Sequence, residues 1–242
     1  MEKWVGSLAV VTGASAGIGA AISTELVKAG INVVGIGRRI EKIEELSESL
    51  NEESGKLYAL YCDLTDEQQI FDGFKWIEET LGPISILINN AGLLHPTTLS
   101  DGNVDQWRDV INVNVLAYCI CQREALKSMK NSCIDGIIIN VSSVTGINVP
   151  DMATSELLLN LYPATKHAVN SISDILRLEL RKESSKIRVT VISPGIVETD
   201  LFRELPEDEV SSVSHYPMLK SEDIANAVRY ILSTPPNIQV LL

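Results

Sequence analysis

Short apolar, largely β-branched runs recur along the chain, and each pair of neighbours is separated by a longer segment of helical periodicity. The runs are Leu8–Thr12, Val33–Ile36, Tyr58–Cys62, Ile84–Ile88, Ile137–Val141, Val189–Ile192 and Ile238–Leu242. Between them lie Ile18–Ala29, Ile40–Asn51, Glu67–Thr80, Val104–Met129, Ala164–Glu183 and Glu222–Leu232. The short runs do not alternate apolar with polar residues, which is the pattern of strands covered on both faces. Strands and helices in strict alternation are joined by right-handed crossovers, so the strands lie parallel.

These patterns predict an α/β fold: a doubly wound, Rossmann-like parallel sheet of about seven strands with helices on both faces. At 242 residues, the whole span 1–242 fits a single domain with its own core. Ser221 stands where an N-cap belongs, ahead of the acids Glu222 and Asp223, and Gly30 and Gly82 stand where C-cap glycines belong. In such sheets ligands collect at the carboxyl ends of the strands, so those loops are the place to look for chemistry.

Acidic residues outnumber basic ones by 32 to 20, a formal charge of −12, which argues against nucleic acid as a partner. No run approaches the length of a membrane span. The opening residues Met1–Ser7 are too few and too polar for a leader, and Asn237–Leu242 carries no lipidation signal, so a cytoplasmic location is expected. Cys62, Cys119, Cys121 and Cys133 form no CxxC pair, and residues two apart on a helix face nearly opposite sides. His95, His167 and His215 are scattered. No metal site is expected, only packed thiols.

The first strand runs into Thr12-Gly13-Ala14-Ser15-Ala16-Gly17-Ile18-Gly19, which opens a helix. Glycines there let the backbone turn sharply and approach a ligand, while the helix start attracts a pyrophosphate. The spacing is GxxxGxG rather than the commoner GxGxxG, and a tight structural turn would look the same. The second strand ends in Gly37-Arg38-Arg39, without the acid that usually holds a ribose 2′-hydroxyl. Two guanidinium groups at that point suit the 2′-phosphate of NADP; the bland alternative is a solvated pair facing Glu41, Glu44 and Glu45. Asp63 and Leu64 follow the third strand, Asp63 either receiving an adenine amino group or capping the next helix. Asn89, Asn90, Ala91 and Gly92 end the fourth strand, where asparagines also serve as loop architecture.

After the fifth strand, Ser142 and Ser143 bring hydroxyls to the same edge, and Tyr162 and Lys166 open a long helix one turn apart. A phenol with an ordinary pKa near 10 acts poorly at neutral pH, and an adjacent ammonium favours its ionised form. Tyr162 would then exchange a proton with a substrate oxygen that Ser143 also hydrogen-bonds. YxxxK alone is nonspecific. In order, however, the TGxxxGIG turn, the NNAG run, the serine after the fifth strand, YxxxK and Pro194-Gly195 form a specific set.

Taken together, these motifs resemble the short-chain dehydrogenase/reductase family over essentially the whole chain from Ser7. The resemblance implies a centre of Ser143, Tyr162, Lys166 and Asn114, the serine being the second of its pair and Asn114 holding a water linked to the lysine. Asn112 is the nearby competitor for that role. It further implies that Lys166 and Tyr162 hold the nicotinamide ribose, and that Pro194, Gly195, Ile196, Val197 and Thr199 cup the nicotinamide amide. The dinucleotide site would comprise Gly13, Ser15, Gly17, Ile18, Gly19, Arg38, Arg39, Asp63, Leu64, Asn90, Ala91 and Gly92. Ala16 stands where many relatives carry a polar or basic residue, leaving Arg38 and Arg39 to set the preference for NADP. Trp4-Val5-Gly6, Gly37-Arg38-Arg39 and Tyr162–Val169 look like the insect farnesol-dehydrogenase-like branch, itself similar to a vertebrate enzyme active on keto-steroids and dicarbonyls.

Apolar residues flank the expected centre: Met152, Ala153, Leu157, Leu158, Leu159 and Leu161 upstream of Tyr162, with His95 and Pro96 beside them. The segment Leu201–Leu219, with Phe202, Leu205, Tyr216 and Met218, completes an expected wall and lid for a lipophilic alcohol. A short packed helix is the plainer reading of the leucine run. The expected activity is NADP(H)-dependent interconversion of a terpenoid-like alcohol and its carbonyl, or reduction of keto-steroids or dicarbonyls. A non-catalytic nucleotide-binding protein would have lost Ser143, Tyr162 or Lys166, and none is lost. The Val104–Met129 helix is apolar on most sides and, with Ala168, Ile172, Ile175 and Leu176, suggests a self-complementary face, hence a homodimer or homotetramer.

Overall fold

The computed structural model describes residues 1–149, 159–202 and 217–240. Six strands form one parallel sheet: β1 (Leu8–Thr12), β2 (Asn32–Gly37), β3 (Leu57–Tyr61), β4 (Ile84–Asn89), β5 (Ile137–Val141) and β6 (Arg188–Ile192). Their spatial order is β3-β2-β1-β4-β5-β6. The chain leaves β1 to either side, toward β2 and β4, and this reversal opens a crevice at the carboxyl ends of β1 and β4. Helices α1 (Gly17–Lys28), α2 (Ile40–Ser49), α3 (Glu67–Leu81), α4 (Val104–Ile111), α5 (Ala117–Asn131), α6 (Tyr162–Lys182) and α7 (Ser221–Ser233) alternate with the strands.

Every residue of β1 is buried, and successive side chains enter two separate cores. Ala9 and Val11 join Ile22, Leu26, Val228 and Ile231 under α1 and α7. Val10 joins Phe74, Ile77, Cys121, Ala125, Met129 and Leu180 under α3, α5 and α6. That two-sided burial is why the strands read as unbroken apolar runs.

Three expectations are corrected. The seventh strand does not form over residues 238–240, and Leu241 and Leu242 lie outside the described residues. Side chains occupy the open edge of β6 instead: the Val189 carbonyl accepts from Arg177 Nη1 at 3.1 Å and from Gln239 Nε2 at 2.8 Å. Next, the helix expected over Val104–Met129 is interrupted by a wider π turn at Asn112–Leu116, where the Ala117 N–H bonds the carbonyl of Asn112, and then runs on to Asn131. Last, Ser221 is the first residue of α7 and Lys220 is its N-cap, because the Asp223 carboxylate accepts from the Lys220 backbone N–H at 2.8 Å. Gly30 and Gly82 do end their helices, with φ of 83° and 100°.

Candidate active site

The Gly-rich turn is packed against the loop that follows β4. Thr12 Oγ1 accepts from the backbone N–H groups of Asn90 and Ala91 at 3.0 and 3.1 Å, and Asn90 Nδ2 donates to the Thr12 carbonyl at 3.0 Å. Asn90 thus pins the turn, while Asn89 lies deeper and donates to Asn140 Oδ1 and the Tyr118 carbonyl. Gly13 has φ of 68°, and a Cβ there would meet Ala91 Cα at 2.9 Å. A Cβ at Gly19 would fall 2.2 Å from the Gly13 carbonyl oxygen, so only glycine lets α1 start this close to the turn.

A cavity of about 690 Å³ opens over this turn. Gly13, Ser15, Ala16, Gly17 and Ile18 form its floor at one end, and Arg38, Arg39, Asp63 and Leu64 form the wall beside it. Asn90, Ala91 and Gly92 line the middle, and Pro194, Gly195, Ile196, Val197 and Thr199 lie opposite. Gly19 sits behind the lining as a packing contact. Volume, glycine floor and the paired guanidinium groups fit a dinucleotide carrying an extra phosphate.

Arg39 reaches across this end. Its Nε and Nη2 approach Ser15 Oγ at 3.3 and 3.2 Å, and its Nη1 pairs with Asp200 Oδ2 at 3.2 Å. Arg38 and Arg39 are both exposed at the cavity wall. The alternative acids on α2 are not their partners among the described residues; Glu45 pairs with Lys42 at 2.8 Å. Asp63 does not cap α3 either. Its Oδ1 accepts from the Thr65 N–H and hydroxyl, and the cap is Asp66, which accepts from Gln68 and Gln69.

At the far end the structure gathers Ser143, Tyr162 and Lys166 into one wall. Ser143 follows β5, its Oγ accepting from the Thr145 N–H at 3.1 Å, and its hydroxyl works against the upward push of burial on Tyr162. Ser142 turns away, and its hydroxyl donates to the Lys166 backbone carbonyl. Lys166 is only 2% exposed; its Nζ donates to the Val141 carbonyl at 2.9 Å and lies 5.5 Å from the centre of the Tyr162 ring. Burial pushes Tyr162 up to about 12 and Lys166 down to about 7, so the surroundings disfavour both ionised forms. The ammonium was expected to lower Tyr162. In this geometry desolvation dominates, and Tyr162 is raised with the ammonium 5.5 Å from its ring centre.

Asn114 lies in the π turn, fully buried and outside the cavity lining. Its Oδ1 accepts from the Leu93 N–H at 2.8 Å, while its Nδ2 donates to the Leu93 carbonyl at 2.9 Å and to Thr165 Oγ1 at 3.1 Å. The side chain therefore ties the loop after β4 to α6. Asn112, the competitor, makes no side-chain hydrogen bond of this kind among the described residues and serves the helix through its backbone.

Beyond Tyr162 the wall is apolar, formed by Leu93, Leu94, Val144, Leu159 and Leu201. Met152, Ala153, Leu157, Leu158, Leu205, Tyr216 and the side chain of Phe202 lie outside the described residues. Sequence reasoning passed over Asn160, in the left-handed region with φ of 49°, whose amide donates to Thr97 Oγ1 and so ties the approach to α6 to the β4 loop. It also missed Asp200 and Tyr118, whose only signals are a lone acid after Thr199 and an i, i+4 spacing from Asn114.

A short chain dehydrogenase family model matches residues 7–210, which takes in the glycine turn, Ser143, Tyr162 and Lys166. The chain belongs to the short-chain dehydrogenase/reductase family. This short-chain dehydrogenase is 45% identical to a farnesol dehydrogenase of Aedes aegypti, over 99% of this chain and 95% of that protein. It is 44% identical to dehydrogenase/reductase SDR family member 11 of Homo sapiens, over 99% of this chain and 94% of that protein. Among solved structures it matches the closed form of a serine dehydrogenase complexed with NADP⁺, with a TM-score of 0.85 and 28% identity over 97% of this chain and 93% of that one. As a member of this family the protein is an oxidoreductase, and no helix among its described residues is long and apolar enough to cross a membrane.

Proposed function

We propose that this short-chain dehydrogenase is an NADP(H)-dependent oxidoreductase that interconverts a lipophilic, terpenoid-like alcohol such as farnesol and its carbonyl. The observation that carries the reading is one continuous cavity with Arg38 and Arg39 at one end and Tyr162, Ser143 and an apolar wall at the other. The near-full-length likeness to a farnesol dehydrogenase supports the same substrate class.

The bound nicotinamide ring supplies or accepts the hydride. The remaining work falls to the chain. Gly13, Ser15, Gly17, Ile18 and the start of α1 receive the pyrophosphate, with Gly19 keeping the helix close. Arg39, held over Ser15 by Asp200, and Arg38 receive the 2′-phosphate. Asp63, Leu64, Asn90, Ala91 and Gly92 line the adenosine and ribose stretch, and Pro194, Gly195, Ile196, Val197 and Thr199 flank the nicotinamide. Tyr162 passes the proton to or from the substrate oxygen, Ser143 orients that oxygen, and Lys166 binds ribose and favours the phenolate when charged. Asn114 keeps the relay in place: its side chain ties the β4 loop to α6, and the family resemblance gives it the water linked to Lys166. We place the enzyme in the cytosol as a homodimer or homotetramer.

The test follows nicotinamide absorbance with NADP⁺ or NAD⁺, a panel of alcohols including farnesol, and Tyr162→Phe in parallel. Farnesol turnover with NADP⁺, lost in Tyr162→Phe, is expected, and Arg39→Ala should shift preference toward NAD⁺ by about tenfold or more. A wild-type preference for NAD⁺ sinks the role given to the arginines. Activity confined to keto-steroids or dicarbonyls sinks the terpenoid assignment.

A further inference from the structure

Lys166 carries its ammonium in an almost fully buried place with no carboxylate paired to it among the described residues. Around it stand one carbonyl, two aromatic rings and Gly92 of the cavity lining. The carbonyl belongs to Val141, the last residue of β5, directly before the two serines. One ring is that of Tyr162. The other is Tyr118 in the first turn of α5, 2% exposed, with its ring centre 5.4 Å from Lys166 Nζ.

Tyr118 is fixed at both ends. Its hydroxyl donates to the Val141 carbonyl at 3.1 Å, the same oxygen that Lys166 Nζ reaches at 2.9 Å. Its backbone carbonyl receives Asn89 Nδ2 at 3.2 Å. Both lone pairs of the Val141 oxygen are thereby used, and the hydroxyl bond holds the ring face toward the ammonium. The face of an aromatic ring is negative, so a desolvated cation over it is stabilised. Burial also keeps the Tyr118 hydroxyl protonated, far above the usual phenol range, so it stays a donor across the working pH.

We propose that Tyr118 is a positioning residue for the proton-transfer centre: its ring, anchored through Val141, holds Lys166 as an ammonium between itself and Tyr162. The inference rests on the reading above that a charged Lys166 favours the Tyr162 phenolate. Because burial already brings Lys166 down to about 7, a modest loss of stabilisation empties it of its proton at neutral pH. The titratable side chains facing it among the described residues are Tyr118 from α5 and Tyr162 from α6, and Gly92 of the loop after β4 lies beside the ammonium. Cys121, one turn along from Tyr118, is itself pushed up by burial and stays neutral.

Two variants separate ring from hydroxyl. Tyr118→Leu removes the ring; Tyr118→Phe keeps it and serves as the conservative rescue, and Tyr118→Met replaces Leu where Leu does not fold. Lysine labelled with ¹³C at Cε reports the titration of Lys166, assigned through Lys166→Met, in protein without nucleotide. In Tyr118→Leu the Lys166 midpoint should fall by about one pH unit, the shift a desolvated cation–ring contact produces. The rise of alcohol-oxidation kcat with pH should then move up by about the same amount, since less ammonium leaves the phenolate less favoured. KM for NADP⁺ should move less than about twofold, and Tyr118→Phe, which keeps the ring and loses its anchor, should shift the Lys166 midpoint less than about half as far as Tyr118→Leu. Unchanged titration in Tyr118→Leu, or an equal shift in Tyr118→Phe, overturns the proposal. Should the wild type turn over no alcohol, the catalytic reading falls alone, because the Lys166 titration still decides what Tyr118 does.

Discussion

Lys166 and Tyr162 are neighbours whose buried setting resists charge on either of them, and the consequence reaches folding stability. An unfolded lysine keeps its proton to about 10.5, whereas in the native protein Lys166 releases it near about 7. Between those values the unfolded chain binds more protons, so this group makes stability rise with pH, and below about 7 the buried ammonium costs the native state most. Tyr162, pushed up to about 12, acts only above its ordinary value of 10 and in the opposite direction. Urea unfolding of nucleotide-free protein at pH 7 and pH 9 should therefore show wild type gaining about 2 kcal/mol more than Lys166→Met over that interval. Parallel pH slopes in the two proteins would refute the burial argument. At this scale Ser143, Tyr162 and Lys166 were legible because each follows a recognisable boundary and two of them share a helix face. Tyr118 and Asp200 were not, because their meaning lies in contacts with Val141 and Arg39, more than 20 residues away.

The π turn at Asn112–Leu116 shows how one side chain reshapes an element. Asn114 makes three hydrogen bonds to the β4 loop and to α6, and the wider turn falls on the residues that carry that side chain. Asn114→Ala leaves the Leu93 N–H and carbonyl without their partner in a half-buried place at the cavity wall. The expected loss is about 2–4 kcal/mol in urea unfolding, with the Leu93 amide losing hydrogen-exchange protection before the strands do. Unchanged stability and protection would show that the loop is held by other contacts. Composition could not reveal this turn, since Asn112-Val113-Asn114-Val115-Leu116 suits an α-helix as well as a wider one. Strands were legible for the opposite reason: burial on both faces gives β1, β2, β4 and β5 their mostly apolar runs, while β3, at the edge, is only half-buried and β6 carries Arg188 and Thr190. The terminal run Ile238–Leu242 has the same composition, yet over 238–240 the edge of β6 is met by Gln239 and Arg177 side chains in place of a paired backbone.

For the whole molecule, the face left open on α5 and α6 bears on assembly. Leu176, expected on the self-complementary face, is instead part of the core, and Val110 and Ile120 are buried too. Outside lie Ile175 at 52% and Leu178 at 57% exposed, one helical turn apart on α6, with Ile111 at 45% at the end of α4 and Leu116 at 39% beside the start of α5. Two copies joined through this face must bring together chains of net charge −12 each, so burial of these side chains has to offset long-range repulsion. Salt weakens that repulsion within a Debye length of about 8 Å at physiological strength and leaves apolar burial intact. Assembly should accordingly tighten as salt rises, the reverse of a contact held by ion pairs. Sedimentation velocity at micromolar concentration should find the wild type as a dimer or tetramer. The double variant Ile175→Asp, Leu178→Asp should sediment as a monomer with an unchanged circular-dichroism spectrum, since neither side chain belongs to a core. A wild-type monomer, or a double variant that still assembles, would move the interface off α6.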